Sequence, residues 1–169
     1  MRIKIISVLT ALILSLCACS VQENMNPLIF LERFAKNAGD EFQINESFDE
    51  NGRYIVFFSD KSGEDYVCEL IYDSNKNIKK ICLAGNNPSK ADVFELLFEN
   101  VLEVCAPNEN KNEIIPNLFE KKWNYYSTQR FNYSYVMTDE GVLASIENIS
   151  FATESDALLT LKQSDIIHP

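Results

Sequence analysis

Residues 94–105 restrict the fold more than any other stretch. Phe94, Leu97, Phe98, Val101, Val104 and Cys105 follow one another at offsets of 3, 4, 7, 10 and 11. That spacing keeps side chains on one side of an α-helix. Val93 and Leu102 widen the stripe, and Glu95, Glu99, Asn100 and Glu103 mark the opposite side. Asn87-Pro88-Ser89 supplies a start and Ala106-Pro107 a stop, because proline suits a first helical turn and disfavours helix in the residue before it. The pattern predicts a helix over about 90–105. A helix this one-sided must lie against another element.

The flanking sequence supplies strands for it to lie on. Phe42, Ile44 and Phe48 fall among polar neighbours, Asp49-Glu50-Asn51-Gly52 signals a turn, and 54–58 is a β-prone apolar run. A second hairpin follows, with strands over 66–72 and 78–83 and a turn over 73–77. Beyond Trp123 the period falls to two: Phe131, Tyr133 and Tyr135 alternate with polar residues, Asp139-Glu140-Gly141 turns the chain, and 142–149 returns. Two more helices are expected. One runs over about 27–38, capped by Asn26-Pro27 and Gly39, with Leu28, Leu31, Phe34, Ala35 and Ala38 as its apolar side. The other is shorter, near 109–121, with Pro116 in its early turns. Residues 155–162 can form a short helix or an edge strand, with a lean to helix.

The order is thus a helix, four strands, two helices and at least two strands. Runs of like elements indicate α+β rather than α/β. The expectation is a mostly antiparallel sheet of about six strands, with the long helix packed on one face. The other face would be partly open and rich in Tyr.

The N-terminus carries a different kind of information. Arg2 and Lys4 precede a run of 12 residues, 5–16, interrupted only by Ser7, Thr10 and Ser15. Such a run fits the hydrophobic region of a signal peptide and falls short of the ~20 residues that span a bilayer. It closes on Leu16-Cys17-Ala18-Cys19. This resembles the lipobox of bacterial lipoproteins. The resemblance covers residues 1–19 alone. It implies that the Cys19 sulfur receives a diacylglyceryl group, that the chain is cut before Cys19, and that residues 1–18 are lost. Residues 19–26 would be the lipidated end and a short polar tether, and 27–169 one globular domain. The implied location is the cell envelope: the outer face of the cell membrane, or the outer membrane in a two-membrane host. Competing readings are an ordinary secreted protein and an uncleaved anchor.

The leader holds two of the 15 basic residues and none of the 25 acidic ones, so the mature chain would carry a net charge of −12. That surface repels nucleic acid and anionic headgroups, which leaves the acyl chains as the membrane contact. No nucleic-acid partner is expected.

Exported proteins keep disulfides. A turn centred on Asn75 sets Cys68 opposite Cys82, on one face with Tyr66, Leu70, Tyr72 and Ile78, within bonding distance. The competing arrangement is two buried thiols packing as small hydrophobes. Cys105 would be the odd thiol.

Motifs for chemistry are sparse. The single His, His168, stands next to the C-terminus, and the mature cysteines are too widely spaced for a Cys-x-x-Cys site. Asp73-x-Asn75-x-Asn77 imitates half a calcium loop but has Ile78 in place of the sixth-position Gly and Ala84 in place of the twelfth-position Glu. The acidic pairs Asp49/Glu50, Glu64/Asp65 and Asp139/Glu140 sit in predicted turns, where neighbours do not face each other across a cleft. No cofactor and no metal is implied. The aromatic group Trp123, Tyr125, Tyr126, Tyr133 and Tyr135 is either strand packing or a binding surface for sugars or proteins. The expected function is a non-enzymatic, membrane-tethered domain that binds a protein or envelope component. The alternatives are an envelope hydrolase using Asp/Glu and an acidic inhibitor or assembly lipoprotein.

Overall fold

The computed structural model describes residues 25–149, with Trp123 described by its backbone alone. The order is helix α1 (Pro27–Ala38), strands β1 (Phe42–Glu50), β2 (Arg53–Asp60), β3 (Asp65–Tyr72) and β4 (Ile78–Gly85), and a 3-10 turn (Pro88–Lys90). Then come α2 (Ala91–Cys105), α3 (Lys111–Phe119), β5 (Trp123–Ser127), β6 (Phe131–Met137) and β7 (Val142–Asn148). The architecture is α+β with an antiparallel sheet. It has seven strands where about six were expected, and three helices. The added strand is β5, whose five residues Trp-Asn-Tyr-Tyr-Ser lack a period-two pattern.

Local chemistry sets the elements. Asn26 accepts the Ile29 N–H at 3.0 Å and Pro27 opens α1. Asn51 and Gly52 take φ values of 50° and 87°, as a two-residue hairpin turn requires, and join β1 to β2. Asp60 accepts N–H groups from Ser62 and Glu64 to close the next turn. Asp73 does the same for Asn75 and Asn77, so the half-calcium motif is a β-turn.

The strand order is β1-β2-β3-β4-β7-β6-β5. Two meanders, β1 to β4 and β5 to β7, meet along the β4–β7 ladder from Gly85↔Val142 to Lys80↔Glu147. The meeting is close. A Cβ on Gly141 would stand 2.5 Å from the Gly85 carbonyl oxygen. The chain between the meanders folds back as α2 and α3 over one face of the sheet, and α1 joins them.

That covered face holds the core. Val56, Phe58, Tyr66, Cys68, Leu70, Leu83, Tyr133 and Ile146 cluster with Phe30, Phe34, Phe94, Leu97, Phe98 and Leu118 from the helices. The Phe34 and Phe58 rings lie 4.6 Å apart, and Phe119 and Tyr135 4.4 Å. The α2 stripe is buried as its spacing predicts, save that Cys105 is half-buried and that Asn100, expected on the opposite side, is buried too, its side-chain amide donating to the Leu96 carbonyl at 2.8 Å. The α1 stripe is rotated from the expected one. Phe30 and Phe34 are buried and their rings lie 6.0 Å apart, while Leu28 is 68% exposed and Ala35 is exposed too. Phe34 and Ala38 belong to both stripes; the exchange is Phe30 for Leu28 and Ala35, and the phenyl ring, with the larger area to bury, turns the helix.

The register of β3 and β4 overturns the expected disulfide. Tyr72 pairs with Ile78, which does centre the turn on Asn75, but Ile71 pairs with Lys80. Lys79 is the extra residue of a β-bulge. One extra residue flips every later side chain to the other face. Cys68 therefore pairs with Leu83, and Cys82 with Glu69. The two sulfurs point to opposite sides of the sheet, and Cys68, Cys82 and Cys105 are free thiols.

Candidate functional site

The second face of the sheet is where the candidate site lies. Side chains alternate along each strand, so residues that pair in register share a face. Phe57 pairs with Val67, Val67 with Ala84, Ala84 with Leu143, and Leu143 with Val136. These five apolar residues form one row across β2, β3, β4, β7 and β6, about 19 Å long at ~4.8 Å per strand. Trp123 extends the register, paired with Val136. A second row runs beside it through Phe48, Ile55, Glu69, Cys82, Ser145, Ser134 and Tyr125. The Phe48 and Phe57 rings lie 6.1 Å apart and tie the rows together.

No helix among the described residues covers this face. Leu143 is 55% exposed, Tyr125 54% and Phe48 40%, and Ile55, Phe57, Val67 and Val136 are half-buried. None of these residues belongs to the core cluster. Two ion pairs lie on the face, and the carboxylates of Glu46, Glu50 and Asp65 stand around its β1–β3 side. Arg53 meets Glu69 at 2.9 Å and Lys80 meets Glu147 at 3.9 Å, while the Ser134 and Ser145 hydroxyls bond at 2.8 Å. Among these charges runs a contiguous apolar surface, the kind that marks an interaction site.

The expected aromatic surface is divided by the sheet. Tyr133 and Tyr135 are enclosed under the helices. Tyr126 is half-buried on that same side, its hydroxyl donating to Glu113 at 2.6 Å. Tyr125 alone of these four tyrosines faces outward. The five residues therefore do not form one binding surface, and the open face is aliphatic and Phe-rich rather than Tyr-rich. Neighbours in sequence point to opposite faces of a strand, which parts Tyr125 from Tyr126. Sequence reasoning missed Phe57, Val67, Leu143 and Val136. The signal for Phe57 and Val67 was apolar residues at odd positions of 53–59 and 65–71, alternating with the core set.

The thiols are not poised for chemistry. Burial holds Cys68 well above the ordinary thiol value, raises Cys82, and pushes Cys105 up to about 12. Cys19 and His168 lie outside the described residues.

A groove of about 460 Å³ opens between the ends of α1, α2 and α3, lined by Asn37, Leu102, Glu103, Glu109 and Lys111 among others. Lys111 bridges Glu99 at 2.8 Å and Glu103. Hydrogen bonds from Lys111 and Asn37 hold Glu103 below the usual carboxylate value, and its carboxylates hold Lys111 above the usual lysine value. Fixed in opposite charge states, neither group exchanges a proton near neutral pH. Among the described residues no three His, Cys, Asp or Glu side chains converge as metal ligands would, and no helix is long and apolar enough to cross a membrane.

Comparison with protein families, curated proteins and solved structures finds no match to this chain.

Proposed function

We propose that this chain is a lipid-anchored domain of the cell envelope that works by binding, and that it docks a protein or other envelope component on the open sheet face around Leu143. The observation that carries the docking half is the unbroken apolar row from Phe57 to Val136. The anchoring half is supported by the leader and the Leu16-Cys17-Ala18-Cys19 sequence. Two chains of a diacylglyceryl group give a stable hold where one chain gives a marginal one.

The two halves fit together geometrically. From Cys19 to Asn26 the tether is eight residues, about 27 Å at full stretch. It meets the fold at Met25, whose carbonyl accepts the Ile78 N–H at 2.9 Å. Ile78 opens β4 and Ala84 lies six residues further on, about 20 Å away. The membrane-proximal end of the sheet would then be the β3–β4 hairpin. The apolar row would sit at the far end, turned toward a partner rather than the bilayer.

Mass spectrometry of the mature N-terminus tests the anchor. The expected species begins at Cys19 and carries a diacylglyceryl group. An unmodified Cys19, or a chain that retains residues 1–18, would contradict it.

A further inference from the structure

The charge left over on the open face is all of one sign. Its strands carry five carboxylates, Glu46, Glu50, Asp65, Glu69 and Glu147, and two cations, Arg53 and Lys80. Glu69 and Glu147 take the two cations. Glu46, Glu50 and Asp65 are exposed, and none has a cation partner among the described residues. We propose that this face takes a basic amphipathic helix of a partner protein, its apolar side along the row from Phe57 to Val136 and its Lys or Arg side chains over Glu46 and Asp65. The proposal rests on the reading of that face as a docking surface and names the chemistry of what docks.

The position of the acids carries the charge of the partner. Glu46 pairs with Phe57 and so continues the apolar row by one strand. Asp65 precedes Val67 by two residues on the same face, about 7 Å away. Two free carboxylates thus flank one end of the row, and Glu50 stands further out on β1. At the other end the neighbours of Val136 and Leu143 on this face are the hydroxyls of Ser134 and Ser145. A second copy of the chain does not supply the missing cations, since it presents the same acidic face and carries a net charge of −10.

The backbone carries the shape. The N–H and C=O groups of inner strands lie in the plane of the sheet and bond their neighbours, so a segment lying on the face finds no backbone partner there. It must satisfy its own, as an α-helix does. A second sheet would need a broad apolar face, and the next row holds Glu69, Cys82, Ser145 and Ser134. The apolar row is narrow, which suits a helix ~10 Å across, and its length of about 19 Å matches about 13 helical residues.

The test uses the mature chain, residues 19–169, with Cys19→Ser so that no lipid or detergent competes for the face. The probe is a synthetic 14-residue helical peptide with leucines on one side and lysines on the flanks. One counterpart has Glu in place of Lys, another Ser in place of Leu. Fluorescence anisotropy reads binding at low salt, where attraction is least screened. The lysine peptide is expected to bind at least tenfold more tightly than either counterpart. It is also expected to slow maleimide labelling of Cys82, which lies on the open face beside the row. In Glu46→Gln/Asp65→Asn its affinity is expected to fall about fivefold, as the loss of two exposed ion pairs would give. Glu32→Gln/Glu120→Gln, the same charge change on the helix side, is expected to leave it within twofold. Leu143→Ser is expected to weaken it as well. Circular dichroism confirms that each variant is folded.

Equal losses in the two double variants would overturn the proposal, since the peptide would then respond to net charge alone. So would unchanged labelling of Cys82, or self-association that shuts the peptide out and makes a second copy the occupant. Equal binding of the lysine and glutamate peptides, with both weakened by Leu143→Ser, would remove the charge preference and leave the docking surface. No effect of Leu143→Ser on any peptide would remove the docking surface itself.

Discussion

β3 shows both faces of the sheet in one strand. On the helix side Tyr66, Cys68 and Leu70 are wholly enclosed, while between them Val67, Glu69 and Ile71 are half-buried on the other side. Apart from Glu69, the two sets are equally apolar. What separates their fates is the path of the chain elsewhere. The link between the meanders folds back as α2 and α3 over one side, and α1 packs on that side as well. Strand composition makes a sheet, but the crossing helices decide which of its faces becomes a core. The uncovered face keeps its apolar surface available for something else.

The difference should be largest at adjacent phenylalanines of β2. Phe58 is fully buried against Phe34, and Phe57 points the other way beside Phe48. Phe58→Ala is expected to cost about 3–5 kcal/mol in urea unfolding, for lost burial plus the cavity. Phe57→Ala should cost about 1 kcal/mol. Equal losses would mean the two faces are not distinct. Next comes the joint that both faces share. Gly141→Ala places a Cβ 2.5 Å from the Gly85 oxygen, which is backbone and cannot swing aside. A loss of about 2 kcal/mol is expected, read as a lower Tm.

Alkaline pH sharpens the contrast without mutation. Burial raises the phenol groups of Tyr66, Tyr133 and Tyr135 above the ordinary value of 10.0. Folding therefore favours their neutral form. The stability this contributes is whole below 10 and is lost as the pH climbs through the raised values. Tyrosinate absorbance from these three should develop together with unfolding. Full ionisation in a still-folded chain would break the account. The smallest effect belongs to Leu143, 55% exposed. Leu143→Ala should shift stability by no more than ~0.5 kcal/mol, measured in the same urea titration.

Much of this fold can be read from residue spacing, and the limits have physical causes. The α2 stripe and the α1 cap are local signals, and the structure follows them. The class follows from the order of elements. The β3–β4 register was out of reach because one bulged residue, Lys79, reverses the pairing of Cys68 and Cys82, and nothing in Asn77-Ile78-Lys79-Lys80 announces a bulge. β5 escaped because five residues with adjacent tyrosines show no period. The open face escaped for a deeper reason. The run Tyr54-Ile-Val-Phe-Phe58 is apolar on both sides, and no local pattern tells which side a distant helix will cover.

The central claim is that the uncovered face meets a partner at the envelope. A photo-crosslinking amino acid at position 143, with one at position 28 as a more exposed control on the helix side, tests it in intact cells. The account predicts a discrete intermolecular adduct from position 143 and none from position 28. No adduct from position 143, or the same products from both positions, would contradict it.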